Sequence, residues 1–69
     1  MMMRITIYLR DSNGEITRVD YQDVERVRML PGEYIHPDLD ETTMYIKFYF
    51  ANDETATYEA AEIIKMAID

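Results

Sequence analysis

The sequence predicts a small α+β domain: an antiparallel sheet of four to five strands, ordered β-β-β-loop-β-β-α, with one C-terminal helix packed on one face. Three observations carry that expectation. Residues 3–10 alternate apolar and polar, residues 43–50 do so again with larger side chains, and beyond Glu59 the apolar period lengthens to that of a helix.

Met3, Ile5, Ile7 and Leu9 fall on one side of the first segment, and Arg4, Thr6, Tyr8 and Arg10 on the other. That is a half-buried strand rich in β-branched residues. Ser12-Asn13-Gly14 supplies turn chemistry, and residues 15–21 read as the return strand. Side-chain matching sets the loop length. A loop of two or four residues would put Arg18 and Asp20 beside Ile5, Ile7 and Leu9. A three-residue loop puts Val19 and Tyr21 there and sends Arg18 outward beside Tyr8. Such a loop is a type I turn closed by a left-handed residue, a position that Gly14 fits.

Residues 22–30 carry two signals. Val27 and Met29 alternate with Arg26 and Arg28, whereas Tyr21, Val24 and Val27 recur at helical spacing. The short length and the Pro31-Gly32 stop favour a turn followed by a third strand. Residues 31–41 form a loop. Residues 43–50 are the strongest strand signal, with Met44, Ile46, Phe48 and Phe50 inward and Tyr45, Lys47 and Tyr49 outward. Asn52-Asp53-Glu54 makes a turn, and residues 55–58 pair back. Ala60, Ile63, Ile64, Ala67 and Ile68 then mark an apolar stripe on a helix of about ten residues, held by packing on the sheet.

A chain of 69 residues reads as one domain, residues 1–69, with a thin core. Without cysteine, disulfides and thiolate metal sites drop out, which leaves self-association as the remaining support for so small a core. Met1, Met2 and Met3 lead directly into a strand pattern, with no basic region, apolar stretch and cleavage site of a signal peptide, and no apolar run approaches the ~20 residues of a membrane span. The expected location is the cytoplasm.

No arrangement of residues meets the needs of catalysis, so the expectation is that the chain is not an enzyme. The only serine, Ser12, lies in a hairpin turn, and the only histidine, His36, lies in a separate loop. His36 with Asp38, Asp40 and Glu41 is the nearest approach to a metal motif, but the spacing matches no calcium loop. Neither Gly14 nor Gly32 opens the helix, which rules out a phosphate-cradling loop. No cofactor is expected.

Charge directs attention to binding. Residues 1–30 hold five arginines and five acids, whereas residues 31–69 hold two lysines and nine acids, so the net charge of −7 sits wholly in the second half. Such a surface repels phosphate backbones and membranes and attracts a basic protein partner. Tyr8, Tyr45 and Tyr49 face outward and would cluster beside Arg18, Thr6 and Lys47 if their strands were neighbours. Tyrosine is a favoured contact residue on protein surfaces. The candidate protein-contact residues are therefore Tyr8, Tyr45, Tyr49, Glu33, Asp38, Asp40, Glu41, Asp53 and Glu54.

Two functions follow. The first is a non-enzymatic interaction module that engages a basic, nucleic-acid-binding protein surface. In size, charge and want of a catalytic motif it resembles the small inhibitors that phages and mobile elements make against host defence nucleases, anti-CRISPR proteins among them. That resemblance is compositional and covers no motif. The alternative is a homodimeric structural or regulatory subunit of a larger assembly, joined through the tyrosine face or an exposed edge strand.

Overall fold

In the computed structural model, which describes residues 2–69, the chain forms one antiparallel sheet of five strands. The strands are β1 (Met3–Arg10), β2 (Ile16–Pro31), β3 (Met44–Phe50), β4 (Thr55–Glu59) and β5 (Ile63–Ile68), in the spatial order β4-β3-β2-β1-β5. Two short 3-10 turns, Gly32–Tyr34 and Ala60–Glu62, are the only helical segments among the described residues. Met1, the first of the opening methionines, lies outside the described residues.

The α+β expectation is thus overturned in favour of an all-β fold. The expected C-terminal helix is a 3-10 turn followed by β5, which pairs antiparallel with β1. Three isoleucines in the six residues of β5 favour extended backbone, and a helix of about ten residues gains little on its own. Pairing satisfies the β1 backbone and sets Met66 and Ile68 opposite Ile7 and Ile5. The strand alternates instead, with Met66 and Ile68 on one face and Lys65 and Ala67 on the other, so the stripe residues Ala67 and Ile68 part company.

The expected second and third strands are likewise one strand, β2, interrupted by two bulges. Between the pairs Ile5↔Tyr21 and Met3↔Val24, β2 carries one more residue than β1; between Val24↔Phe50 and Arg26↔Tyr49, it carries one more than β3. Asp23 sits at the first bulge with φ 56°, and its carbonyl accepts a hydrogen bond from Ala51 N–H at 3.0 Å. Each bulge shifts the inward set by one position. That is why Tyr21, Val24 and Val27 mimic a helical period while lying on a strand.

The bulges also let the sheet curl, and the connectivity requires it. Only Ala60–Glu62 separates β4 from β5, although they are opposite edges of the sheet. The four Cα steps from Glu59 to Ile63 reach at most about 14 Å, whereas the edges of a flat five-stranded sheet stand about 19 Å apart. The sheet therefore wraps round a core of Ile5, Ile7, Val24, Ile46 and Phe48, all buried. Tyr21, Phe50 and Tyr58 pack on Phe48 or its neighbours, with ring centroids 5.0–6.4 Å apart.

The first hairpin follows the side-chain matching. Ile7 pairs with Val19, Ile5 with Tyr21 and Tyr8 with Arg18, and Gly14 takes φ 82°. Asp11 N–H donates to the Glu15 carbonyl, and Gly14 N–H donates to the Asp11 carbonyl, both at 3.0 Å. Among the described residues no helix is long and apolar enough to cross a membrane.

Candidate protein-contact site

The outward face divides at the bend of β2. On one half, Tyr8 lies between Arg18 and Lys65, and the Lys65 ammonium stands 5.9 Å from the ring centroid. On the other half, three cross-strand rows run over β2, β3 and β4: Leu30-Tyr45-Glu59, Arg28-Lys47-Thr57 and Arg26-Tyr49-Thr55. The three tyrosines do not form one cluster, because β2 separates β1 from β3. The β2 partners of Tyr8 and Tyr49, Arg18 and Arg26, lie eight residues apart, up to about 26 Å of extended chain, and Leu30, the partner of Tyr45, lies farther still.

The acids separate in the same way. Glu33, Asp38, Asp40 and Glu41 occupy the connection from β2 to β3, whereas Asp53 and Glu54 lie past the far end of β3. About 20 Å of strand stands between them, and its outward face carries Arg26, Arg28 and Lys47. The β2–β3 half of the sheet thus has an acidic loop at each end and a basic, tyrosine-bearing middle.

The β2–β3 connection is tightly built. Gly32 N–H donates to the Thr43 carbonyl at 2.9 Å, and the Gly32 carbonyl accepts from Ile35 and His36 N–H. The Asp40 main chain passes so close to Gly32 that an added Cβ would lie 2.5 Å from the Asp40 carbonyl oxygen. Asp40 is fixed by the Thr42 backbone N–H and hydroxyl, both donating to Oδ1 at 2.8 Å, and these bonds lower its pKa below 3.8. Asp38 N–H donates to His36 Nδ1 at 3.1 Å. The Asp38 carboxylate stands 3.7 Å from the same nitrogen.

At the β3–β4 turn, three of the expected residues come together. Tyr49, Asp53 and Glu54 line an open groove of about 410 Å³ with Glu25, Arg26, Phe50 and Thr55. The Arg26 guanidinium lies 4.2 Å from the Tyr49 ring centroid, and Lys47 approaches the same ring at 5.3 Å. With its ring held by these cations, Tyr49 forms a fixed wall. The turn repeats the first hairpin: Phe50 N–H donates to the Glu54 carbonyl, Asp53 N–H donates to the Phe50 carbonyl, and Asp53 takes φ 67° where the first hairpin has Gly14.

Glu25 and Arg26 are the contributors that sequence reasoning missed. The second bulge of β2 places them there, and its only sequence trace is the broken alternation from Tyr21 to Val27. Among the described residues, basic and acidic side chains approach within 4 Å only at Arg18–Asp20 and His36–Asp38, so Glu25, Asp53 and Glu54 have no cation within that distance. No group of three or more potential ligands among the described residues could hold a metal ion.

Comparison with protein-family models, curated proteins and solved structures returns no match.

Proposed function

We propose that this chain is a non-enzymatic interaction module that engages a basic protein surface, with the groove at the β3–β4 turn receiving a lysine or arginine side chain of the partner. One observation carries the reading: Glu25, Asp53 and Glu54 line one groove beside a fixed aromatic wall, and none has a cation of its own within 4 Å. Carboxylates facing solvent from a half-enclosed site bind a partner's cation with less screening than carboxylates on open surface. The second acidic end, with Glu33, Asp38, Asp40 and Glu41, extends the same preference, and the net charge of −7 steers the encounter.

In its sharper form the module is an inhibitor from a phage or mobile element, working in the cytoplasm, whose acids take the place of phosphates on a nucleic-acid-binding protein. The test immobilises the chain, captures basic proteins from the source cell at about 0.05 M and 0.5 M salt, and challenges the captured protein with duplex oligonucleotide. The expected result is capture that weakens steeply in salt, is displaced by the oligonucleotide, and is lost in the Glu25→Gln, Asp53→Asn, Glu54→Gln triple variant. Capture that is indifferent to salt and to the triple variant overturns the reading.

A further inference from the structure

The geometry points to β5 as a strand-pairing edge for a second copy of this chain. β5 ends the sheet order, with β1 on one side and, among the described residues, no strand on the other. The Asp69 N–H donates to the Arg4 carbonyl at 2.9 Å, and the register continues through Ile5↔Ile68, Thr6↔Ala67, Ile7↔Met66 and Tyr8↔Lys65. Antiparallel ladders alternate strictly, so Lys65, Ala67 and Asp69 turn their backbone groups toward β1. Met66 and Ile68 then turn their N–H and C=O groups away from the sheet.

Edges are ordinarily guarded by proline, bulges or several charges. Between Lys65 and Ile68, β5 has no proline, glycine or register shift, and only one charge, Lys65. Its apolar side chains are uncovered: Ile64 is 44% exposed, Met66 37% and Ile68 55%. On the opposite edge, β4, the inward Ala56 and Tyr58 pack against the core, and Thr55, Thr57 and Glu59 face outward.

Complementarity within the strand identifies the occupant as a second copy. A two-fold axis through Ala67 sets the strands antiparallel, with Met66 opposite Ile68 of the second copy, and joins their free N–H and C=O groups in four hydrogen bonds. The same register sets Lys65 opposite Asp69 of the second copy, twice, on the outward face. Opposite charges directly across a strand pair stabilise it, and like charges destabilise it. A two-fold pairing is closed, so it yields a dimer rather than a filament. This interface lies on the β1–β5 half of the sheet, away from the β3–β4 groove, so either proposal can fail without the other.

Sedimentation and light scattering over a protein dilution series test it. The expected species has twice the 8.2 kDa mass of the chain. Lys65→Asp and Asp69→Lys each raise the dimer Kd by about tenfold or more, and the Lys65→Asp, Asp69→Lys double variant restores it to within about threefold. Met66→Pro removes only an outward amide and leaves a folded monomer by circular dichroism. Should that variant unfold, the charge exchange still decides. A chain that stays monomeric to about 1 mM, or a dimer indifferent to the charge reversals, overturns the proposal.

Discussion

The hydroxyls of Tyr21 on β2 and Tyr58 on β4 share a hydrogen bond over the buried Phe48 ring, joining two strands that β3 separates in the sheet. Burial pushes the Tyr21 phenol well above its ordinary value of 10.0, and the bond with Tyr58 pushes it further. The unfolded chain ionises near pH 10 while the folded chain keeps its proton. The contribution of Tyr21 is therefore whole below pH 10 and declines as pH rises above it. Urea midpoints between pH 8 and about pH 11 are expected to fall. Tyr21→Phe should flatten that decline and cost about 0.5–1.5 kcal/mol at neutral pH. An unchanged alkaline slope in this variant would refute the assignment.

Phe48 is fully buried beneath that bond and touches aromatic rings from β2 and β4. Phe48→Ala should cost about 3–5 kcal/mol. A domain of this size has about 3.5–10 kcal/mol in total, so the alanine variant is expected to be largely unfolded in a thermal melt, with Phe48→Leu folded but less stable. A cooperative melt of Phe48→Ala at the parental temperature would show that the core lies elsewhere.

Much of this core was legible from alternation alone. Ile5, Ile7, Ile46 and Phe48 sit inward as their strands require, and the first turn follows from asking which register buries Val19 and Tyr21. Alternation fails where the backbone adds a residue. The bulges of β2 gave Tyr21, Val24 and Val27 a helical rhythm, and Ile63, Ile64, Ala67 and Ile68 fit a helical stripe although Ala67 and Ile68 lie on opposite faces of β5. In the second case tertiary demand decided, because the β1 edge lacked a partner. The site was half visible for the same reason: Tyr49, Asp53 and Glu54 adjoin a turn the sequence announces, while Glu25 and Arg26 arrive through a bulge it does not.

Gly32 sits where the acidic β2–β3 connection folds back on itself. Gly32→Ala sets a methyl group 2.5 Å from the Asp40 carbonyl oxygen and 3.1 Å from the Tyr45 ring, and the backbone contact cannot swing aside. A cost of about 1–3 kcal/mol is expected. Faster hydrogen exchange of the Gly32 amide's neighbours in residues 32–43 should accompany it, with exchange in β1 and β5 rising no more than the global loss requires. Uniformly unchanged exchange would mean that the connection has room to spare.

Asp20 accepts hydrogen bonds from the Thr6 hydroxyl at 2.6 Å and from Arg18 Nε at 3.2 Å. Its pKa lies below 3.8, owing first to the Thr6 bond and then to Arg18, through both a hydrogen bond and its charge. Thr6→Val keeps a β-branched residue in β1 and removes only the donor. In carboxyl NMR titrations it should raise the Asp20 pKa. The stability linked to this group is present above pH 3.8 and disappears as pH falls through the depressed value. An unchanged Asp20 pKa in Thr6→Val would remove that bond as the leading cause.

Asp53 occupies the left-handed position that Gly14 fills in the first hairpin, at φ 67° against 82°. A non-glycine residue there is strained by about 1 kcal/mol, although aspartate bears it better than most. The two turns share their backbone hydrogen bonding, and among the described residues the Asp53 carboxylate takes part in no hydrogen bond of the second, so nothing in the hairpin itself asks for it. The groove with Glu25 and Glu54 does, if it receives a cation. Asp53→Gly is therefore expected to raise the unfolding free energy by up to about 1 kcal/mol in urea while weakening capture of a basic partner. Asp53→Asn should keep the turn's stability and show the same loss of capture. Unaltered capture in both variants would leave the strained residue without a role in the groove.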